Sequence, residues 1–171
     1  MIINTAKTYL RNKNGFTLIE LIVVFSVIAV LSTIGIASFV SYSRAQTLQQ
    51  ATNDFISVLN TAKARTAAQV KPSPECASSS TLQGYSVTVT LTGSSNTYAL
   101  NVICSGVTTS IKTVSLPTGV TFNSAIATPP TTTTNVRFSV LSGGVTGSGN
   151  IVIYSYGSTK TVTVNSVGGI Q

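Results

Sequence analysis

The sequence predicts an α+β protein: one long N-terminal helix packed on an antiparallel β-sheet domain. Three observations carry this. Leu21–Val40 holds no charged residue and is long enough to cross a bilayer as a helix. Beyond it, Leu48, Ala51, Phe55, Val58, Leu59 and Ala62 recur at spacings of three and four, the stripe of an amphipathic helix. After Cys76 the apolar period changes to two, and clusters of Gly, Ser, Asn and Pro break the runs.

The helix is expected from Phe16 to about Val70. No proline lies between Phe16 and Lys71, and Pro72 with Pro74 ends it. Arg44 and Gln46 mark its emergence into water. Thr52, Asn53, Ser57, Asn60, Lys63 and Thr66 fill its polar face. Gly35 and the Ser32-Thr33 pair are candidate points of bending.

Strands follow. Val87, Val89 and Leu91 alternate with Ser86, Thr88 and Thr90. Gly93-Ser94-Ser95-Asn96 signals a turn, and Tyr98, Leu100, Val102 and Cys104 alternate again, so this pair reads as a hairpin. Further strands are expected at Ile111–Leu116, Val120–Phe122, Val136–Leu141, Asn150–Tyr156 and Lys160–Asn165. Thr128-Pro129-Pro130 and the threonines to Thr134 read as a loop, and Gly143–Gly149 as a hairpin turn. The organisation is therefore a leader over 1–15, an apolar helix over 16–40, its amphipathic half over 41–70 and an exported β-rich domain over 71–171.

Charge bounds the function. The chain of 171 residues has a formal charge of +7, yet only 8% of its residues are charged. Lys7, Arg11 and Lys13 precede the apolar run and act as a topology signal that keeps the N-terminus cytoplasmic. The remaining cations are scattered, without the clustered stripe that nucleic acid binding requires. Cys76 and Cys104 make an even count in an exported segment, which favours a disulfide over two buried thiols. It would tie the end of the helix to the second strand, because Cys104 shares a face with Leu100 and Val102.

Gly15-Phe16-Thr17-Leu18-Ile19-Glu20, between the basic leader and the uncharged run, resembles the N-terminus of type IV prepilins and type II secretion pseudopilins. The resemblance implies a cut between Gly15 and Phe16 by a membrane prepilin peptidase, then methylation of the new Phe16 amine. Glycine before the cut suits extended backbone in a tight protease cleft. In that family a glutamate placed like Glu20 pairs with the N-terminal amine of a neighbouring subunit. The physical case is independent: a lone carboxylate in an apolar core is costly, and a matched amine makes it a register device. The alternative is a carboxylate that snorkels to water.

Phe55–Ala68 also resembles the late-helix pattern of the GspH/FimT minor pilins. Gly149–Ile153, Lys160–Val164 and Gly168-Gly169-Ile170 resemble that family's closing strands and terminal glycine. Some members bind DNA through arginines after that glycine. Here the chain reads Gly168-Gly169-Ile170-Gln171, which argues against that route.

There is no histidine, and the acids are Glu20, Asp54 and Glu75. Catalytic triads, acid–base pairs and hard-metal sites lack parts, so neither an enzyme nor a cofactor is expected. Tyr98, Tyr154 and Tyr156 read either as an adhesive face or as cross-strand packing. The expected function is structural: a minor subunit of a type IV pilus or secretion pseudopilus. Its partners would be other pilins along Phe16–Val40, the prepilin peptidase and assembly platform proteins. It would sit in the cytoplasmic membrane with its domain exported, then in a filament. The competing readings are a pilus-borne adhesin or DNA-binding pilin, a plain membrane-anchored β domain, and ordinary signal-peptide cleavage near Gly35-Ile36-Ala37.

Overall fold

A computed structural model describes residues 15–77, 79–92, 95–123 and 133–171. It separates into two compact units, one ending at Ser41 and one spanning Tyr42–Gln171. The leader apart from Gly15, the Gly93-Ser94 turn and most of the Thr128–Thr134 loop lie outside the described residues.

One helix, α1, runs Leu18–Ala67. It stops three residues short of the expected Val70, and the reason is a Schellman ending. The Gln69 N–H donates to the Thr66 carbonyl at 3.2 Å and the Val70 N–H to Arg65 at 3.1 Å, with Gln69 at φ 50°. Such endings usually announce themselves with glycine. Glutamine in that position hides the stop.

In the second unit the expected stripe is the buried one: Leu48, Ala51, Phe55, Leu59 and Ala62, with Val58 partly buried. Two residues assigned to the polar face, Thr52 and Thr66, are buried instead. Their hydroxyls donate to the Leu48 and Ala62 carbonyls at 2.8 and 2.7 Å. This back-bonding satisfies the one polar atom each side chain brings inside.

Among the described residues eight strands form two antiparallel sheets: β1 (Leu82–Thr92), β2 (Ser95–Cys104), β3 (Val107–Ser115), β4 (Val120–Asn123), β5 (Thr133–Ser139), β6 (Val145–Thr146), β7 (Gly149–Ser155) and β8 (Ser158–Val164). The larger sheet has the order β3-β2-β1-β5-β6 and the smaller β4-β7-β8. The β1–β2 hairpin matches the reading from alternation, with Tyr85, Val87 and Val89 opposite Val102, Leu100 and Tyr98. On the other side Tyr85 and Val87 face Phe138 and Val136 of β5. All eight side chains are buried.

Several strand readings change: Ser95 and Asn96, read as turn, open β2, and β8 begins at Ser158 rather than Lys160. β3 begins at Val107, not Ile111, because Ser105 and Gly106, at φ 50° and 84°, make a two-residue turn between Cys104 and Val107. Its polar Thr108-Thr109-Ser110 gave no apolar alternation to read. β5 begins at Thr133, so Thr133 and Thr134 are strand residues. The glycine-rich stretch contains β6, which pairs with Arg137 and Phe138. Gly84 has a strict structural reason: a Cβ there would collide with the Phe138 carbonyl across the β1–β5 pair.

Phe55 joins the layers. Its ring lies 5.2 Å from Tyr98 of β2 and 5.4 Å from Phe122 of β4, both edge-on. Helix and both sheets meet at this aromatic trio, a geometry worth about 0.5–1.5 kcal/mol per pair beyond burial. The end of the chain folds back on β8: Thr163 and Gln171 exchange two backbone hydrogen bonds, at 2.8 and 3.0 Å.

Candidate functional site

The Gly15–Glu20 segment straddles the start of α1. Gly15, Phe16 and Thr17 are non-helical and exposed, and among the described residues nothing beyond its own chain neighbours lies within 4 Å of where a Gly15 Cβ would stand. The Gly15–Phe16 peptide is thus accessible, on backbone that a protease can draw into an extended form. Thr17 is the N-cap. Its hydroxyl accepts from the Glu20 N–H at 3.3 Å, and its carbonyl accepts from the Leu21 N–H at 3.2 Å. Glu20 occupies the first turn, where the positive end of the helix favours a carboxylate. Sequence reasoning missed Thr17. Its signal was the Thr-x-x-Glu spacing of a capping box.

Beyond Glu20 the helix presents apolar side chains outward. Phe25 is 62% exposed, Leu31 64% and Phe39 71%. Contiguous apolar surface on this scale marks a face that meets lipid or other protein. Two hydroxyls within it are satisfied locally: Ser26 donates to the Val23 carbonyl at 2.8 Å and Ser32 to Ile28 at 2.7 Å. Neither therefore brings an unpaired donor into apolar surroundings. Among the described residues no helix is long and apolar enough to cross a membrane. The side chains at 33–35 and 37 lie outside the described ones.

The second unit holds the other singled-out residues. Cys76 and Cys104 are buried and joined as a disulfide, with Cα atoms 5.8 Å apart. Cys76 follows the helix in a short turn, its N–H donating to the Pro72 carbonyl at 2.8 Å. Of the three tyrosines, Tyr98 belongs to the aromatic trio and is 2% exposed. Its burial and the nearby Asp54 charge raise its pKa above 10.0. Tyr154 and Tyr156 are exposed. Tyr85 is buried too, its hydroxyl donating to the Val70 carbonyl at 2.8 Å, and burial raises its pKa against the opposing Arg65 charge.

A small cleft of about 160 Å³ lies among Lys63, Thr66, Gln69, Val145 and Gly168. Ligand pockets usually enclose roughly 300–1,000 Å³. No group of three or more metal-ligating side chains occurs among the described residues. The structure does not bring the cysteines, tyrosines and Glu20 into one site. They serve two units with separate tasks.

Residues 10–36 match the family model described as the prokaryotic N-terminal methylation motif. No curated protein and no solved structure matches the chain. The match supports the type IV pilin and pseudopilin superfamily that Gly15–Glu20 resembles, and the helix with its antiparallel sheets is consistent with a pilin-like α+β fold. It supports a structural subunit processed by prepilin peptidase, anchored in the membrane and then incorporated with other pilins.

Proposed function

We propose that this chain is a minor subunit of a type IV pilus or type II secretion pseudopilus, of the GspH/FimT kind. The prepilin peptidase cuts between Gly15 and Phe16, and the Phe16 amine is methylated. The helix over 16–40 first holds the protein in the cytoplasmic membrane, with the domain exported, and then enters the filament core. There Glu20 meets the amine of a neighbouring subunit. The disulfide between Cys76 and Cys104 forms after export and fastens the turn following α1 to β2. Platform proteins of the assembly machinery receive the subunit.

The observation that carries this reading is the methylation-motif match over residues 10–36. It is supported by an accessible Gly15–Phe16 peptide, directly before a capped helix whose apolar side chains are exposed. An uncleaved membrane-anchored domain would share the exposed helix but would keep Gly15. The mass of the N-terminal peptide from native cells decides between them: a peptide beginning at N-methylated Phe16 is expected, and an intact leader would refute the reading. Glu20→Gln is expected to leave membrane insertion and processing intact while reducing the subunit's recovery in sheared filaments. Undiminished recovery would remove Glu20 from assembly.

A further inference from the structure

The turn between β7 and β8 puts a tyrosine where the backbone favours asparagine or glycine. Ser155 pairs with Ser158, which leaves the two-residue turn Tyr156–Gly157 at φ 44° and 88°. Two positive φ values are the type I′ pattern, filled in most hairpins by Asn-Gly. A bulky residue there is an outlier that its surroundings must hold in place. Two groups hold this one. The Arg44 guanidinium stacks over the ring, 4.2 Å from its centroid, and Gly119 packs against it so closely that a Cβ would strike the ring. Even so, Tyr156 stays 55% exposed. The unusual turn thus presents a half-exposed aromatic ring with a cation on its face. Core packing does not explain it, because the buried trio of Phe55, Tyr98 and Phe122 does not include it.

Position along the chain indicates what the pair meets. Arg44 is the first cation after Lys13, and it follows the uncharged run that ends at Val40. It stands four positions after Val40 in the sequence, and four helical residues rise about 6 Å. A bilayer's polar headgroup layer is roughly 5–7 Å thick on each side. Arginine at that depth meets phosphate, and tyrosine is enriched there. Stacking carries Tyr156 into the same layer. A guanidinium covered on one face still offers in-plane N–H donors to a phosphate.

We propose that Arg44 and Tyr156 form a membrane-surface contact. While the subunit waits in the membrane, Arg44 binds the phosphate of a phospholipid headgroup and the Tyr156 ring lies in the headgroup layer. The inference rests on the membrane-anchored reading above and adds to it a second contact, made by the β7–β8 turn. Entry into a filament would require this contact to break.

The chain has no tryptophan, so one introduced indole reports its own depth. The full-length chain would be reconstituted in phosphatidylethanolamine–phosphatidylglycerol vesicles containing lipids brominated near the top of the acyl chains. Tyr156→Trp should be quenched about twofold or more over Leu141→Trp, since indoles in the interfacial belt contact such lipids. Leu141 is 95% exposed on the β5–β6 turn. Its neighbours Val140 and Gly143 line the cleft with Thr66, roughly 30 Å further along the helix than Arg44. Equal quenching of the two would overturn the inference. Phe25→Trp keeps the premises apart: if it is quenched and Tyr156→Trp is not, the anchor stands and the surface contact falls. If Phe25→Trp is not quenched, the anchor itself falls. Where the turn rejects tryptophan, Ser158→Trp beside it reads the same layer. Adding Arg44→Ala should lower quenching at the turn to the Leu141 level, and unchanged quenching would remove the arginine from the contact.

Discussion

The two ends of α1 both carry large apolar side chains and differ in what those side chains touch. In the first unit Phe25 is 62% exposed, and in the second Phe55 is fully buried. Both phenylalanines sit in the same continuous helix, and Phe55 packs edge-on against Tyr98 and Phe122 of the sheets. The described large apolar side chains of the first unit, from Phe16 to Val40, are exposed, a surface of the kind that meets lipid or other protein. The second carries its core with it. Hydrophobicity identifies a surface that needs covering, and the tertiary structure shows which part is already covered.

Substitutions on either side of the Ser41–Tyr42 boundary test this contrast. The largest effect is expected from Phe55→Ala. Removing a buried phenylalanine costs about 3–5 kcal/mol, read as a lower midpoint in urea unfolding of the exported domain. Phe25→Ala should leave that midpoint unchanged, and a shift of similar size would show that the first unit shares the domain's core.

The Cys76→Ser/Cys104→Ser double variant comes next. The bridge spans 28 residues in sequence, and on the chain-entropy model its loss costs roughly 3–4 kcal/mol. A thiol titration of the oxidised parent should find no reactive cysteine. Two free thiols would show that the bridge does not form.

Thr17→Val is expected to act locally. Losing an N-cap costs about 1 kcal/mol, seen as faster amide exchange at Glu20 and Leu21 with no change in domain unfolding. Thr17→Asp should restore protection, because a carboxylate caps as a hydroxyl does.

The smallest effect at neutral pH belongs to the buried tyrosines. Tyr85 and Tyr98 have folded-state pKa values raised above 10.0. Their contribution to stability is full below the unfolded pKa and is lost as pH rises through the folded one, because the unfolded chain releases those protons first. Stability should therefore fall above about pH 10, and Tyr98→Phe should flatten part of that fall. An unchanged alkaline profile would show that Tyr98 does not titrate differently in the folded domain.

Much of the fold was legible because its signals are periodic. The stripe of Leu48, Ala51, Phe55, Leu59 and Ala62 and the alternating Val87, Val89, Tyr98, Leu100, Val102 and Cys104 fix side chains to faces, and these residues are buried as expected. The ends of elements were less legible. Gln69 stops α1 in a conformation associated with glycine, and Thr133 and Thr134 extend β5 with polar residues that also suit a loop. Gly15, Phe16 and Glu20 stand out as candidates because the motif that holds them is contiguous. Thr17 was passed over because its role is a hydrogen bond rather than a charge or an apolar face.

The sequence by itself determined an uncharged N-terminal run, a single acid at its start, a helix of two characters and a β-rich remainder. Each follows from local order along the chain, which fixes periodicity and charge before anything folds. Tertiary structure alone decided that the strands divide into two sheets, that Phe55 joins both, and that Arg44 stacks on Tyr156. These depend on residues distant in sequence reaching the same place. Contacts of that kind are selected by the packing of the whole domain, and no short stretch of the chain encodes them.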